Sequence, residues 1–268
     1  MFVRTILRKS IMVTGATSGI GRATAIKYAS AAPGSKIIAT GRRENLLQDL
    51  VDQVAALNNG SKVHPLCVDV SNREAMFAGV DNLPAEFAEV DVLINNAGLA
   101  LGVAPMHTAA IEDWENMIDV NCKGLLYATR SVLPGMVDRK KGHIVNIGSV
   151  AGNYALPNGN VYCATKAFVN HLSLAMRAEL IGKGVRVTSI EPGNTETEFS
   201  VVRFKGNEEA ADKVYETADP ATRAACTGGD IADIIFFATH TAAAHVNINK
   251  LEVMPERQGF GPFAFERS

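Results

Sequence analysis

No apolar run in this 268-residue chain reaches the ~18 residues that a membrane-spanning helix needs. The first ten residues, M-F-V-R-T-I-L-R-K-S, lack the long apolar core of a secretory signal. Two arginines there have the flavour of a weak mitochondrial presequence. The first strand begins almost at once, however, so no cleaved leader is expected. Cysteine is scarce: Cys67, Cys122, Cys163 and Cys226 form no C-x-x-C and no metal-like pairing with histidine. Free thiols in a reducing cytoplasm are expected, and no metal site. Excess charge is also lacking. The formal net charge is -2 and lysine and arginine are scattered, which argues against nucleic acid or an anionic membrane as partner. There is no internal repeat, low-complexity tract or linker. What is present is 47% hydrophobic residues, ample for a large core.

Apolar runs and helical patterns alternate along the chain. Strands are expected at 10–14, 36–40, 63–68, 90–94, 144–147, 185–190 and 250–253. Helices are expected after Gly21, at 44–57, after a Ser71/Glu74 capping box, and at 112–137, 161–181 and 231–239. Ala32-Pro33-Gly34 ends the first helix. The strand runs are solidly apolar, as in a parallel sheet covered on both faces. The pattern predicts a single-domain doubly wound α/β parallel sheet spanning 1–268, with about seven strands. The stretch 192–227 shows no clear element, and a loop of that size reads as a lid or binding segment.

Between the first strand and first helix stands G-A-T-S-G-I-G. Glycines there let the backbone approach a phosphate, and the helix N-terminus offers unpaired N–H groups. Gly15, Thr17, Ser18, Gly19, Ile20 and Gly21 are therefore candidate dinucleotide contacts. Twenty residues on, Gly41 holds the position where a carboxylate would bind a ribose 2′-hydroxyl, and Arg42 and Arg43 follow. Guanidinium suits a 2′-phosphate, which points to NADP(H) rather than NAD(H). Solvated surface arginines are the plain alternative. Asp69, followed by Val70, ends the third strand; it can reach an adenine amino group or simply start the turn. Asn95-Asn96-Ala97-Gly98 ends the fourth, at the edge where such sheets bind ligands. In the long helix, Trp114, Met117, Ile118, Asn121, Leu125, Ala128 and Val132 fall on one stripe. Asn121 is its polar exception, either a satisfied buried amide or part of a site.

From Ser149 to Lys166 the chain reads S-V-A-G-N-Y-A-L-P-N-G-N-V-Y-C-A-T-K. Tyr162 and Lys166, four apart, share a helix face. A neighbouring ammonium favours phenolate, and a hydroxyl at Ser149 could hold a substrate oxygen against Tyr162. Together they could move a proton to or from an alcohol. An ordinary amphipathic helix also carries Y-x-x-x-K by chance.

T-G-A-T-S-G-I-G, N-N-A-G, Asn121, Ser149, Y-x-x-x-K and Pro192-Gly193 stand in the order of the short-chain dehydrogenase/reductases, which the whole chain resembles. The resemblance implies a Rossmann-type fold and a catalytic tetrad of Asn121, Ser149, Tyr162 and Lys166. Tyr162 would be the acid/base and Ser149 the carbonyl polariser. Lys166 would bind the nicotinamide ribose and lower the tyrosine pKa. Asn121 would hold a water linking Lys166 to solvent. Val70, Asn96, Pro192, Gly193, Thr195 and Thr197 join the implied cofactor contacts. A homotetramer through helices 112–137 and 161–181 is also implied.

The stretch 197–209, T-E-F-S-V-V-R-F-K-G-N-E-E, and the stretch 245–258 are similar to the NADP-dependent 3-hydroxy acid (serine/allo-threonine) dehydrogenase branch. Asn194-Thr195 departs from the usual aliphatic pair. A broad carbonyl reductase and a non-catalytic NADP-binding regulator are the alternatives. A 3-hydroxy acid carries a carboxylate, and a buried carboxylate needs a cationic or N–H partner. Arg203 and Lys205 are the only basic pair in the lid before Lys213. The planar fork of Arg203 is expected to anchor the acid when the lid closes.

Overall fold

The computed structural model describes residues 9–212, 214 and 225–259. Its strands are β1 (Ser10–Val13), β2 (Lys36–Gly41), β3 (Lys62–Cys67), β4 (Val92–Asn95), β5 (Gly142–Ile147), β6 (Val185–Pro192), β7 (Thr195–Glu196), β8 (Cys226–Thr227) and β9 (Lys250–Val253). Seven of them form one parallel sheet in the order β3-β2-β1-β4-β5-β6-β9, and β7 pairs with β8 apart from it. The helices are α1 (Gly19–Ala31), α2 (Glu44–Ala55), α3 (Arg73–Asp81), α4 (Ile111–Ile118), α5 (Leu125–Asp138), α6 (Asn160–Glu179), α7 (Phe199–Arg203), α8 (Glu208–Asp212) and α9 (Gly228–Phe236). This is the expected doubly wound Rossmann-type fold, in one domain.

Successive strand residues serve opposite faces. Ile11 and Val13 of β1 pack with Tyr28, Leu47 and Ile235 under α1, α2 and α9. Met12 between them packs with Met136, Ile144 and Met176 under α5 and α6. That double covering is why the runs are solidly apolar in the sequence. β3 departs from the pattern because it is the sheet edge: it is half-exposed and carries Pro65, which an edge tolerates. The chain passes from β3 over to β4 on the other side of β1. The crevice beyond the β1 and β4 C-termini is therefore the switch point of the sheet.

Three local expectations are corrected. The helix after β3 is capped not by Ser71 but by Asn72, whose side chain accepts from the Ala75 N–H. Ser71 is committed to Asp69 instead: its N–H and hydroxyl both donate to Asp69 Oδ1, at 2.9 and 2.7 Å. The long helix at 112–137 is not one helix. A π-helical turn, Asp119–Gly124, separates α4 from α5. Met117 and Asn121 face inward while Ile118 is 41% exposed, so Ile118 leaves the expected stripe. Finally, the stretch 192–227 is not featureless. β7 and β8 pair in parallel near its two ends, and α7 and α8 lie between them. Lys213 and residues 215–224 of that stretch lie outside the described residues.

Candidate active site

A cavity of about 880 Å³ opens at the C-terminal ends of β1 and β4. Its floor is the turn between β1 and α1. Gly15 has φ +67°, and a Cβ there would lie 2.9 Å from Ala97 Cα. Only glycine fits such a contact at positive φ. Asn96 clips the turn down, donating from Nδ2 to the carbonyls of Thr14 and Gly15 at 2.9 and 3.1 Å. Ser18 stands at the N-cap of α1, yet its side chain does not cap. The first-turn amides therefore lack intrahelical acceptors beside the cavity.

The two arginines separate in role. Arg43 donates to the hydroxyls of Thr17 and Ser18, each at 2.9 Å, and pairs with Glu198 at 2.9 Å. Arg42 is exposed and reaches Asp69 at 3.4 Å. Asp69 starts the turn through Ser71 while its other oxygen faces Arg42. Burial alone would raise its pKa, but the Ser71 hydrogen bonds and the Arg42 charge outweigh this and hold it low.

Ser149 follows β5 and is buried. Its Oγ accepts from the Ala151 N–H at 3.1 Å and donates to the Pro192 carbonyl at 3.3 Å. Tyr162 and Lys166 project from α6 into the same cavity. Lys166 is 6% exposed, and its Nζ donates to the Ile147 carbonyl at 2.8 Å. Burial of the cation lowers its pKa to about 8. Burial pushes Tyr162 up to about 12, against smaller opposing pulls from the Ser149 hydroxyl and the Arg203 charge. The direction is opposite to the expected lowering by Lys166. The ammonium sits 6.0 Å from the ring centroid and spends its hydrogen bond on backbone.

Asn121 is buried, and its amide is fully engaged. Oδ1 accepts from the Leu99 N–H at 2.8 Å. Nδ2 donates to the Leu99 carbonyl and to Thr165 Oγ1, at 2.8 and 3.0 Å. Of the two sequence alternatives, the structure shows the satisfied buried amide.

Of the sequence-derived residues, Gly15, Thr17, Ser18, Gly19, Ile20, Arg42, Arg43, Asp69, Val70, Asn96, Ser149, Tyr162, Lys166, Pro192, Gly193, Thr195, Thr197 and Arg203 all line this cavity. Gly21 does not. A Cβ there would lie 2.3 Å from the Gly15 carbonyl, so this glycine serves the fold of the turn rather than a ligand. Asn121 stands behind the lining. Arg203 and Lys205 divide as well: Lys205 is tied to Asp113 at 2.8 Å, whereas Arg203 faces the cavity with Nε buried and without a hydrogen-bond partner.

Sequence reasoning missed the tail residue Gln258. Its Oε1 accepts from the Asn194 N–H at 2.7 Å and closes the cavity over Gly193. It missed Glu198 too, which lines the cavity and pairs with Arg43, because a carboxylate brought to an arginine from a distant segment has no signature in the sequence. Asn194, which stands where an aliphatic residue is usual, turns its side chain toward the Val214 carbonyl at 3.5 Å.

A family model described as short chain dehydrogenase matches residues 9–208. The chain belongs to the short-chain dehydrogenase family. Among its relatives, the NADP-dependent 3-hydroxy acid dehydrogenase YdfG of Salmonella typhi is 50% identical over 259 residues, 96% of this chain and 99% of that protein. A serine 3-dehydrogenase of Rhizobium radiobacter is 44% identical over 258 residues, 96% of this chain and 98% of that protein. The closed form of a serine dehydrogenase complexed with NADP+ superposes with a TM-score of 0.88 at 47% identity, covering 96% and 99% of the two chains. As a short-chain dehydrogenase, the protein is an oxidoreductase.

Proposed function

We propose that this short-chain dehydrogenase uses NADP(H) to interconvert a small 3-hydroxy acid, of serine, allo-threonine or 3-hydroxypropionate type, and the matching semialdehyde or keto acid. One observation carries the substrate class: Arg203 Nε is buried beside Tyr162 with no partner of its own. A buried unpaired donor is costly, and a carboxylate would satisfy it. The names of the relatives support the same reading.

The residues present fit NADP(H). The glycine turn and the open amides of α1 would hold the diphosphate. Arg43 with Thr17 and Ser18, and Arg42 beside Asp69, would take the 2′-phosphate. Pro192, Gly193, Thr195 and Thr197 would line the nicotinamide side, with Val70 and Asn96 flanking the adenosine half. When bound, the nicotinamide supplies or accepts the hydride.

The chain's own residues manage the proton. Ser149 Oγ holds the substrate oxygen. Tyr162, held protonated by burial, donates its phenolic proton to that oxygen in reduction and recovers it from the alcohol in oxidation. Lys166 would bind ribose and resupply the proton. Asn121 would hold a water that links Lys166 to solvent. The segment 192–227 acts as the lid.

The exposed apolar residues Ile118 and Leu126 on α4 and α5, with Phe168 and Leu174 on α6, support a homotetramer built through those helices. No described helix is long and apolar enough to cross a membrane, and a cytoplasmic enzyme is the reading that goes with free thiols.

The walls formed by Leu156, Phe199 and Val202 favour a second reading, a broad carbonyl reductase for which the acid is incidental. A turnover screen separates them. Arg203→Ala should lower kcat/KM on L-serine and 3-hydroxypropionate by ~10–100-fold, the ~1.5–3 kcal/mol of a charged hydrogen bond, and spare a neutral ketone of similar size. Equal loss on both would assign Arg203 to the lid, and equal turnover of acids and ketones by the unaltered enzyme would favour the carbonyl reductase.

A further inference from the structure

Asn170 lies on α6 one turn beyond Lys166, facing the same way as Lys166 and Tyr162. It does not line the cavity. Its amide instead fills the space between Gly148 and Gly152, the two glycines that bracket Ser149. A Cβ on Gly148 would lie 2.1 Å from Asn170 Oδ1, and one on Gly152 would lie 2.6 Å from Asn170 Nδ2. Both glycines thus make room for the amide. Nδ2 donates to the Ser149 carbonyl at 3.2 Å and to Asn153 Oδ1 at 3.1 Å.

The chain of contacts continues away from the site. Asn153 Nδ2 donates to Glu191 Oε2 at 2.6 Å and to Glu252 Oε2 at 3.0 Å. Glu191 is 1% exposed, although it is a carboxylate. It is satisfied by Lys250 Nζ at 2.6 Å and by the Ser189 hydroxyl at 3.0 Å. A buried carboxylate is retained at a cost, and breaking its pairing is costly too. The Glu191–Lys250 pair joins β6 to β9, and Gly148 N–H donates to Ile190 O of β6 at 2.8 Å. The loop bearing Ser149 is therefore fastened on one side to the sheet and on the other, through Asn170, to the helix bearing Tyr162 and Lys166.

We propose that Asn170 is a positioning residue that fixes the Ser149 hydroxyl against Tyr162, with Asn153 and the ion pair between buried Glu191 and exposed Lys250 as its anchor. It rests on the reading of Ser149 as carbonyl polariser and Tyr162 as acid/base. An amide suits this position because it fills the gap between two glycines and donates twice in directions set by a rigid plane. The groups facing Tyr162 among the described residues are Lys166 and Cys163 from α6 and Arg203 from α7. Asn170→Ala alters none of them, so a change in Tyr162 titration reports the Ser149 contact. That contact favours the phenolate, and its loss moves the titration to higher pH.

The test is alcohol oxidation by Asn170→Ala across pH, with NADPH binding followed by nicotinamide fluorescence. Tyr28→Phe, which removes a buried hydrogen bond to Thr239 far from the site, serves as a control for lost stability alone, and Tyr162→Phe as a control for the site reading. We expect kcat to fall ~10-fold or more, NADPH affinity to stay within ~2-fold, and the pH limb of kcat/KM to move up by ~0.5 unit or more. Asn153→Ala, one link further out, should show the same pattern weakened. A lower melting temperature with unchanged kcat and pH limb, as in Tyr28→Phe, would overturn the proposal. If Asn170→Ala does not fold, an unmoved pH limb in Asn153→Ala overturns it equally. An active Tyr162→Phe would instead remove the site reading on which it stands.

Discussion

Lys166 is a costly residue for the fold, and Tyr162 becomes one only at high pH. Burial disfavours the charge of each, lowering the lysine to about 8 and raising the tyrosine to about 12. Lys166 is all but inaccessible and has one hydrogen bond, to the Ile147 carbonyl, to offset its desolvation. The folded chain binds that proton less tightly than the unfolded chain. The destabilisation is therefore fully present below pH 8 and fades as pH rises toward the ordinary lysine value of 10.5. Lys166→Met, which keeps the stem and drops the charge, should be inactive yet more stable at pH 7, by ~1–3 kcal/mol. The gain should shrink toward pH 10. Urea melts of both proteins at pH 7 and pH 10 check this; equal stability at pH 7 would mean that burial does not lower the Lys166 pKa. Tyr162 acts in the opposite window: its raised pKa contributes stability below pH 10 that is lost as pH climbs to about 12.

At the scale of elements, one contact ties the start of α7 to the glycine turn. Arg43 leads into α2, Thr17 and Ser18 precede α1, and Glu198 precedes α7; the guanidinium joins all three. If Arg43 takes the 2′-phosphate as proposed, its ion pair with Glu198 sets the carboxylate and the phosphate in competition for one cation. Glu198→Gln should therefore lower KM for NADPH, by ~2–5-fold for an exposed pair, and leave KM for NADH almost unchanged. Steady-state kinetics with both cofactors checks it; a higher KM for NADPH would place Glu198 among the groups that hold the cofactor. The π-helical turn between α4 and α5 is the other element-scale device. It carries Asn121, whose amide engages Leu99 and Thr165.

For the whole molecule, the informative surface is apolar and helical. Ile118 is 41% exposed, Leu126 41%, Phe168 36% and Leu174 51%. On the proposed homotetramer, these residues on neighbouring helices would form the interface. Leu126→Lys with Leu174→Lys should convert a tetramer to smaller species in sedimentation velocity, with the near-ultraviolet signature of the fold retained. A monomeric parent protein would refute the assembly, and a variant that stays tetrameric would move the interface elsewhere.

Sequence by itself determined the sheet, because strands covered on both faces must be apolar throughout, and Ile11, Met12 and Val13 announce that covering directly. It also determined the turn at Gly15 and the shared helix face of Tyr162 and Lys166, since both depend on near neighbours in the chain. Tertiary structure decided what depends on distant partners. Asn72 rather than Ser71 became the cap because Asp69 claims Ser71. Gly21 left the site because Gly15 folds over it. Lys205 was withdrawn from the cavity by Asp113, leaving Arg203. Glu198, Gln258 and Asn170 gained their places from residues that the fold alone brings near: Arg43, Asn194 and the two glycines beside Ser149. A side chain's neighbours along the chain are set by sequence, but its charge, its exposure and its hydrogen bonds are set by whatever the closed fold places against it.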